Sequence, residues 1–233
     1  MKVLIIIPAF NEAESIESLI EDISKTCPFA DYIVINDGSE DNSEELLKNI
    51  EANYISNPVN LGIGGTVQVG YMYALKNGYD IAIQIDGDGQ HDISYLEKLI
   101  GPIKSGEADI VIGSRFIEKE GFQSSVARRI GINFLSILIR TCTGIKIRDV
   151  TSGFRAVNRK FIEIYAADYP QDYPEPEAIV AAVMYGGRIK EIPVIMNERV
   201  NGISSINIWK SIYYMIKVSM AIIICRISFG MRR

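Results

Sequence analysis

Apolar and polar positions along the first hundred residues follow two alternating rhythms. Val3 to Ile7 is a wholly apolar run rich in β-branched residues, the pattern of a strand buried on both faces. From Asn11 to Lys25 the apolar positions Ile16, Leu19, Ile20 and Ile23 fall three or four apart, behind a capping residue and an acidic first turn. That spacing predicts an amphipathic helix. Tyr32 to Ile35 predicts a second strand, stopped by Asn36-Asp37-Gly38-Ser39, a turn that also offers helix caps. Helices are predicted over about Asp41 to Glu51 and Ile63 to Lys76, and strands over Asp80 to Ile85 and Ala108 to Ile112. Strands alternating with helices of this length predict an α/β fold with a mostly parallel central sheet flanked by helices. No repeat, low-complexity stretch or linker interrupts the pattern.

The last segment differs in kind. Ser204-Ser205 offers a cap for an amphipathic helix running to about Phe229. Trp209, Tyr213, Ile216, Met220, Ile223 and Ile227 make one broad apolar stripe, with Lys210 and Lys217 on another face. Its longest uncharged run, Val218 to Cys225, has eight residues, short of the roughly 20 that a spanning helix needs. The organisation expected is therefore a catalytic-sized body over 1–205 and a basic amphipathic helix over 206–233.

Charge sharpens that division. The net charge is −5, yet from Arg188 onward there are eight Lys/Arg against two Glu, leaving 16 basic and 27 acidic residues before it. An acidic body is a poor nucleic-acid binder. A basic, apolar tail suits docking on a membrane surface or on a small membrane-protein partner; packing on its own domain or on a second copy in a homo-oligomer is the alternative. Composition is ordinary for a globular protein at 48% hydrophobic and 23% charged. Met1 to Ala9 does not read as a secretory leader, and Cys27, Cys142 and Cys225 lack metal-ligand spacing. Both point to a cytoplasmic protein with reduced thiols. His91 is the single histidine available to any His-dependent mechanism.

The unusual residues sit where the predicted strands end, which is where such sheets bind ligands. Strand one runs into Pro8-Ala9-Phe10-Asn11-Glu12, the second into Asn36-Asp37-Gly38-Ser39, and a later one into Asp86-Gly87-Asp88-Gly89-Gln90-His91-Asp92. Another strand delivers Gly113-Ser114-Arg115. Carboxylates two apart at a strand end can share a hard divalent cation, Mg2+ or Mn2+, with a substrate's phosphates. A calcium loop of the EF-hand type is disfavoured, because His91 stands where that loop needs glycine and a strand precedes it instead of a helix. Asn60-Leu61-Gly62-Ile63-Gly64-Gly65 opens a helix and reads equally as an anion cradle or as close packing. It matches neither the dinucleotide fingerprint nor a P-loop.

Taken in order with Thr151-Ser152-Gly153-Phe154-Arg155, these motifs resemble a family 2 glycosyltransferase of the GT-A fold. The likeness is closest to the polyprenyl-phosphate, dolichyl-phosphate-mannose-synthase-like branch, and extends from residue 3 to about 205. The resemblance implies a metal-dependent, inverting transfer of a hexose from a nucleotide-diphospho-sugar, with a UDP-sugar favoured, onto a polyprenyl phosphate. The work would be done at the cytoplasmic face of a membrane. It also implies roles. Pro8, Phe10, Glu12, Asp37 and Asp86 would hold the donor, and Asp86, Asp88 and Gln90 the metal. Arg115, Ser152 and Arg155 would bind the acceptor phosphate, helped by Arg128 or Arg129. Asp88, Arg115 and Arg199 would carry catalysis, with Arg199, Gly202 and Ser204-Ser205 on a mobile loop.

Two departures from the family pattern stand out. Its usual Asp-Asp-Gly-Ser reads Asn36-Asp37-Gly38-Ser39. Many members carry membrane-spanning helices after the catalytic domain, and here the Ile206 to Phe229 helix stands in that place. Two other readings remain open. One is a glycan or protein hydroxyl acceptor with Glu175 or Glu177 as general base, although Tyr173-Pro174-Glu175-Pro176-Glu177 equally suits a helix start. The other is a non-catalytic nucleotide-sugar-binding subunit.

Overall fold

A strand apolar at every position needs cover on both faces, and the sheet supplies it. In the computed structural model, which describes residues 1–118, 120, 121, 123, 125–197 and 208–231, the described strands form one sheet. They are β1 (Val3–Ala9), β2 (Asp31–Asn36), β3 (Tyr54–Ser56), β4 (Ile81–Gln84), β5 (Ile110–Ser114), β6 (Arg155–Asn158) and β7 (Ile189–Pro193). Their order is β3-β2-β1-β4-β6-β5-β7. Only β6 runs antiparallel to its neighbours, β4 and β5. The fold is thus the expected GT-A-like α/β arrangement.

Eight described helices cover the sheet: α1 (Ile16–Thr26), α2 (Ser43–Asn49), α3 (Gly62–Lys76), α4 (Leu96–Lys104), α5 (Val126–Thr143), α6 (Arg159–Ala167), α7 (Pro174–Met184) and α8 (Ile208–Met231). Leu4 and Ile6 of β1 enter one core with residues of α3, α5, α6, α7 and α8. Val3, Ile5 and Ile7 enter the other, with α1, α2 and α4. The two-residue alternation of a strand splits one apolar run between two cores.

Helix α1 starts at Ile16, later than the spacing suggests. Asn11 adopts a left-handed backbone (φ 57°), its N–H donates to Ser39 Oγ at 3.0 Å and its Oδ1 accepts from Glu40 N–H at 2.8 Å. The segment is thereby pinned as a loop. At the other end α8 packs on the domain through residues outside the expected apolar stripe. Val218 and Ile222 are buried against the core, while Tyr213, Ile216, Met220, Ile223 and Ile227 face outward. Lys217 Nζ pairs with Asp172 Oδ2 at 2.6 Å. The Ser204-Ser205 cap and the Trp209 side chain lie outside the described residues. No helix among the described residues is long and apolar enough to cross a membrane.

Candidate active site

The adjacent parallel strands β1 and β4 both feed helices on one face of the sheet, α1 and α4, so the loops that follow them lie side by side. Glycine lets the two loops approach: a Cβ on Gly87 would sit 3.2 Å from the Pro8 carbonyl oxygen. Ser15 Oγ donates to Gly87 O at 2.8 Å and lies 3.1 Å from Glu12 Oε2, tying the loops together. An open cleft of about 670 Å³ follows, with Phe10, Glu12, Asp88, His91 and Asn197 in its lining. Phe10 is 43% exposed at its rim.

Asp37 lies beneath this rim, buried. Its Oδ1 accepts from Asn57 Nδ2 at 2.9 Å and Leu61 N–H at 2.8 Å, and its Oδ2 from Gly62 N–H at 3.0 Å. The carboxylate therefore sits at the positive end of α3 as the chain's own anion. The glycine cluster itself serves packing: a Cβ on Gly64 would come within 2.1 Å of Pro170 O, and one on Gly70 within 2.3 Å of Ile6 Cγ2. Asn36 is buried too, where the resembling family has aspartate. Its Nδ2 donates to Ser56 Oγ at 3.0 Å while its Oδ1 accepts from Ser39 Oγ at 2.6 Å. A carboxylate has no proton for the first of these bonds.

The loop after β4 carries Asp86 and Asp88. Asp86 N–H donates to His91 Nδ1 at 3.0 Å, so Nε2 bears the proton of a neutral ring; it lies 3.6 Å from Asp86 Oδ2. His91 is buried and stacks on Phe154, centroids 4.8 Å apart. Asp88 Oδ1 accepts from Gln90 N–H at 3.1 Å. Gln90 is joined to Asn197 in both directions, its carbonyl accepting at 2.9 Å and its Nε2 donating at 3.4 Å. The chain therefore leaves toward Arg199 from beside this loop; Arg199, Gly202 and Ser204-Ser205 lie outside the described residues.

The donor set fits a hard divalent cation. Both carboxylates end one strand, and the Asp86 side chain is 39% exposed. Space over Asp86 is kept by Gly153, where a Cβ would lie 3.1 Å from both Asp86 Oδ1 and Gln84 Nε2. No group of three His, Cys, Asp or Glu among the described residues is arranged to hold a metal, so substrate oxygens would have to complete the shell.

Opposite stand the arginines. Arg115, at the end of β5, is buried and grips Asp149 with two bonds of 2.7 Å, Nε to Oδ2 and Nη2 to Oδ1. Burial works against its charge; Asp149 more than restores it, and Asp86 adds to the effect. Arg155 is 1% exposed beneath the rim, its Nη2 donating to Ser152 O at 2.6 Å and its Nη1 to Glu175 O at 3.4 Å. Burial again opposes the charge, offset by Tyr169, Glu175, Tyr165 and Tyr71. Ser152 Oγ accepts from Phe154 N–H at 3.2 Å. Arg128 is exposed at the start of α5, while Arg129 Nη1 donates to Gln123 Oε1 at 3.0 Å.

Glu175 and Glu177 do open a helix, with Pro174 in the first turn of α7. Glu175 also faces the site. Burial pushes its carboxyl up, Arg155 pulls it down, and Asp86 pushes it up further. Sequence reasoning passed over Asp149, Gln84 and the orienting role of His91. Asp149 matters through a partner 34 residues earlier, which no local pattern reveals. The alternation along β4 does carry a signal, for Gln84 is the one polar residue in an otherwise apolar strand.

Comparisons with known proteins agree with this geometry. The model of the family described as Glycosyl transferase family 2 matches residues 4–165. Polyprenol monophosphomannose synthase of Mycolicibacterium smegmatis is 26% identical over 216 residues, 88% of this chain and 81% of that one. The UDP-N-acetylglucosamine--dolichyl-phosphate N-acetylglucosaminyltransferase of Methanococcus voltae is 27% identical over 212 residues, 82% of this chain and 84% of that one. A solved structure of glucosyl-3-phosphoglycerate synthase from Mycobacterium tuberculosis, in complex with Mn2+, UDP-glucose and phosphoglyceric acid, shares the fold. Its TM-score is 0.72 at 20% identity, over 97% of this chain and 79% of that one.

Proposed function

Because the chain belongs to glycosyl transferase family 2 and is a glycosyltransferase, we propose that it moves a hexose from a nucleotide-diphospho-sugar to a polyprenyl phosphate at a membrane surface, inverting the anomeric centre. A UDP-sugar is the favoured donor. The observation that carries this reading is Arg115, buried and with Asp86 supporting its charge, with Arg155 buried against Ser152. Relatives named for polyprenyl and dolichyl phosphate acceptors support it.

The chemistry follows from the acceptor. A phosphate monoester oxygen is already ionised near neutral pH, so it needs placement by cations and no general base. Arg115, Ser152 and Arg155, with Arg128 beside them, draw that oxygen to the face of the sugar opposite the leaving diphosphate. Phe10 stacks the base at the rim, and Pro8, Glu12 and Asp37 shape the pocket for base and ribose. Asp86, Asp88 and Gln90 would hold Mg2+ or Mn2+, which supplies positive charge to the diphosphate as it departs. Arg199 meets the same developing charge, which makes its contact stronger in the transition state than before it. His91 holds Asp86 in place.

A second reading has one observation in its favour. A carboxyl raised by burial, as at Glu175, is what a general base for a hydroxyl acceptor requires. One assay separates the two. Purified protein is incubated with Mn2+ or Mg2+, polyprenyl phosphate and labelled UDP-glucose, UDP-N-acetylglucosamine or GDP-mannose. Label entering the organic phase from one donor, and lost in Asp88→Ala, is the expected result. Transfer only to sugar hydroxyls, abolished by Glu175→Gln, would establish the rival instead.

A further inference from the structure

Glu191 stands in the middle of the edge strand β7, in register with Ile112 of β5, three residues before Arg115. Its neighbour Lys190 does what charged residues on an edge commonly do, pairing with exposed Glu107, Nζ to Oε1 at 2.6 Å. Glu191 instead reaches the turn that follows α5. Its Oε2 accepts from Arg148 N–H and its Oε1 from Asp149 N–H, both at 2.9 Å. Two successive backbone N–H groups converging on one carboxylate make a charge-assisted clasp with two points of attachment. Such a clasp fixes the orientation of the turn as well as its distance from the sheet.

What the clasp holds is the arginine side of the site. Asp149, fixed at its own N–H by Glu191, accepts from the Arg115 backbone N–H at 3.1 Å and from its Nε and Nη2 at 2.7 Å each. Two residues on, Thr151 Oγ1 accepts from the same Nη2 at 3.2 Å. Ser152 N–H donates to Asp149 O at 3.4 Å, and Ser152 O accepts from Arg155 Nη2 at 2.6 Å. Both buried arginines therefore take their bearings from the turn 149–152, and Glu191 moors that turn to the sheet. The carboxylate loop is anchored separately, farther along the same chain segment, by Met196 against His91 and Asn197 against Gln90. We propose that Glu191 is a positioning residue for the acceptor, setting the Arg115 guanidinium in place through the 148–149 turn and Asp149. The acceptor part of this rests on the lipid-phosphate reading, but the placing of Arg115 can be tested apart from it.

Two readouts on the full chain decide it. Proton exchange at Arg115 Nε–H, followed by NMR and assigned by its disappearance in Arg115→Lys, reports how firmly Asp149 grips. The KM for polyprenyl phosphate reports where the guanidinium stands. Glu191→Gln keeps the size of the side chain but turns an amide N–H toward one of the two backbone donors. It should speed the exchange and raise acceptor KM by about tenfold, with donor binding in calorimetry and circular dichroism unchanged. Lys190→Ala, which breaks the neighbouring pair on the same strand, should move neither readout. On an Asp149→Asn background Glu191→Gln should add little, because Arg115 no longer follows the turn. If Glu191→Gln does not fold, Glu191→Asp, which keeps the charge and withdraws the reach, asks the same question. Wild-type exchange at Arg115 Nε in the Glu191 variant overturns the proposal. An equal loss of donor affinity also overturns it, since that marks a general loosening, and so does an undiminished effect on the Asp149→Asn background. Faster exchange with acceptor KM unchanged would uphold the placing of Arg115 and sink the acceptor reading.

Discussion

Replacing Asp149 with alanine tests whether Arg115 is held as the structure shows. Asp149 is fully buried and accepts three bonds from Arg115: from its backbone N–H at 3.1 Å, and from Nε and Nη2 at 2.7 Å each. Its removal strands a guanidinium that is only 7% exposed. Breaking a buried pair by taking one partner costs about 3–5 kcal/mol, because the remaining charge stays desolvated. For a chain of this length that is roughly 10 °C in melting temperature. Urea unfolding followed by circular dichroism measures it, and Arg115→Met should lose a similar amount. The double variant Arg115→Met/Asp149→Leu should recover most of either loss, since neither charge is then left alone. It should nevertheless transfer no sugar if Arg115 places the acceptor. A loss below about 1 kcal/mol for Asp149→Ala, or a double variant no better than the singles, would refute the reasoning.

Three further outcomes are expected. Glu175→Gln should raise stability at neutral pH: a carboxyl pushed up by burial binds more protons folded than unfolded, so the wild type weakens as pH rises through that window. The difference between the two proteins should vanish once pH drops below the ordinary carboxylate range, and melting curves across pH decide it. Gly64→Ala should cost about 3 kcal/mol, because its Cβ meets the backbone oxygens of Pro170 at 2.1 Å and Gln171 at 2.3 Å; chemical denaturation reads this directly. Asp37→Ala should lose about 1–2 kcal/mol with its three bonds at the start of α3, and weaken donor binding in titration calorimetry.

The sheet was legible where burial wrote it into the chain. β1, β2, β4 and β5 carry apolar runs because each is covered on both faces, and the loops after them could be placed at one rim from that alone. β6 escaped, since Arg155-Ala156-Val157-Asn158 is short and opens on a buried charge held by the carbonyl oxygens of Ser152 and Glu175, partners that only folding supplies. β7 escaped because it is a half-buried edge ending in proline. Helix α5 was signalled by Ser125 as cap and Gly144 as stop, but its two apolar faces blur a single stripe. Within the site, the carboxylates showed in their motifs. The grip of Asp149 on Arg115 and of His91 on Asp86 depends on neighbours that only folding supplies.

The reversed strand has a consequence for the order of assembly. β6 fills the gap between β4 and β5, yet it is made only after about two thirds of the chain. Until residues 155–158 leave the ribosome, β3-β2-β1-β4 can pair among themselves while the Ile81-Ala82-Ile83 edge of β4 stays open. An unpaired apolar edge is a template for wrong partners. Nascent chains arrested near residue 150 should therefore bind chaperones and clump, and those arrested after β7 has emerged to cover the β5 edge should not.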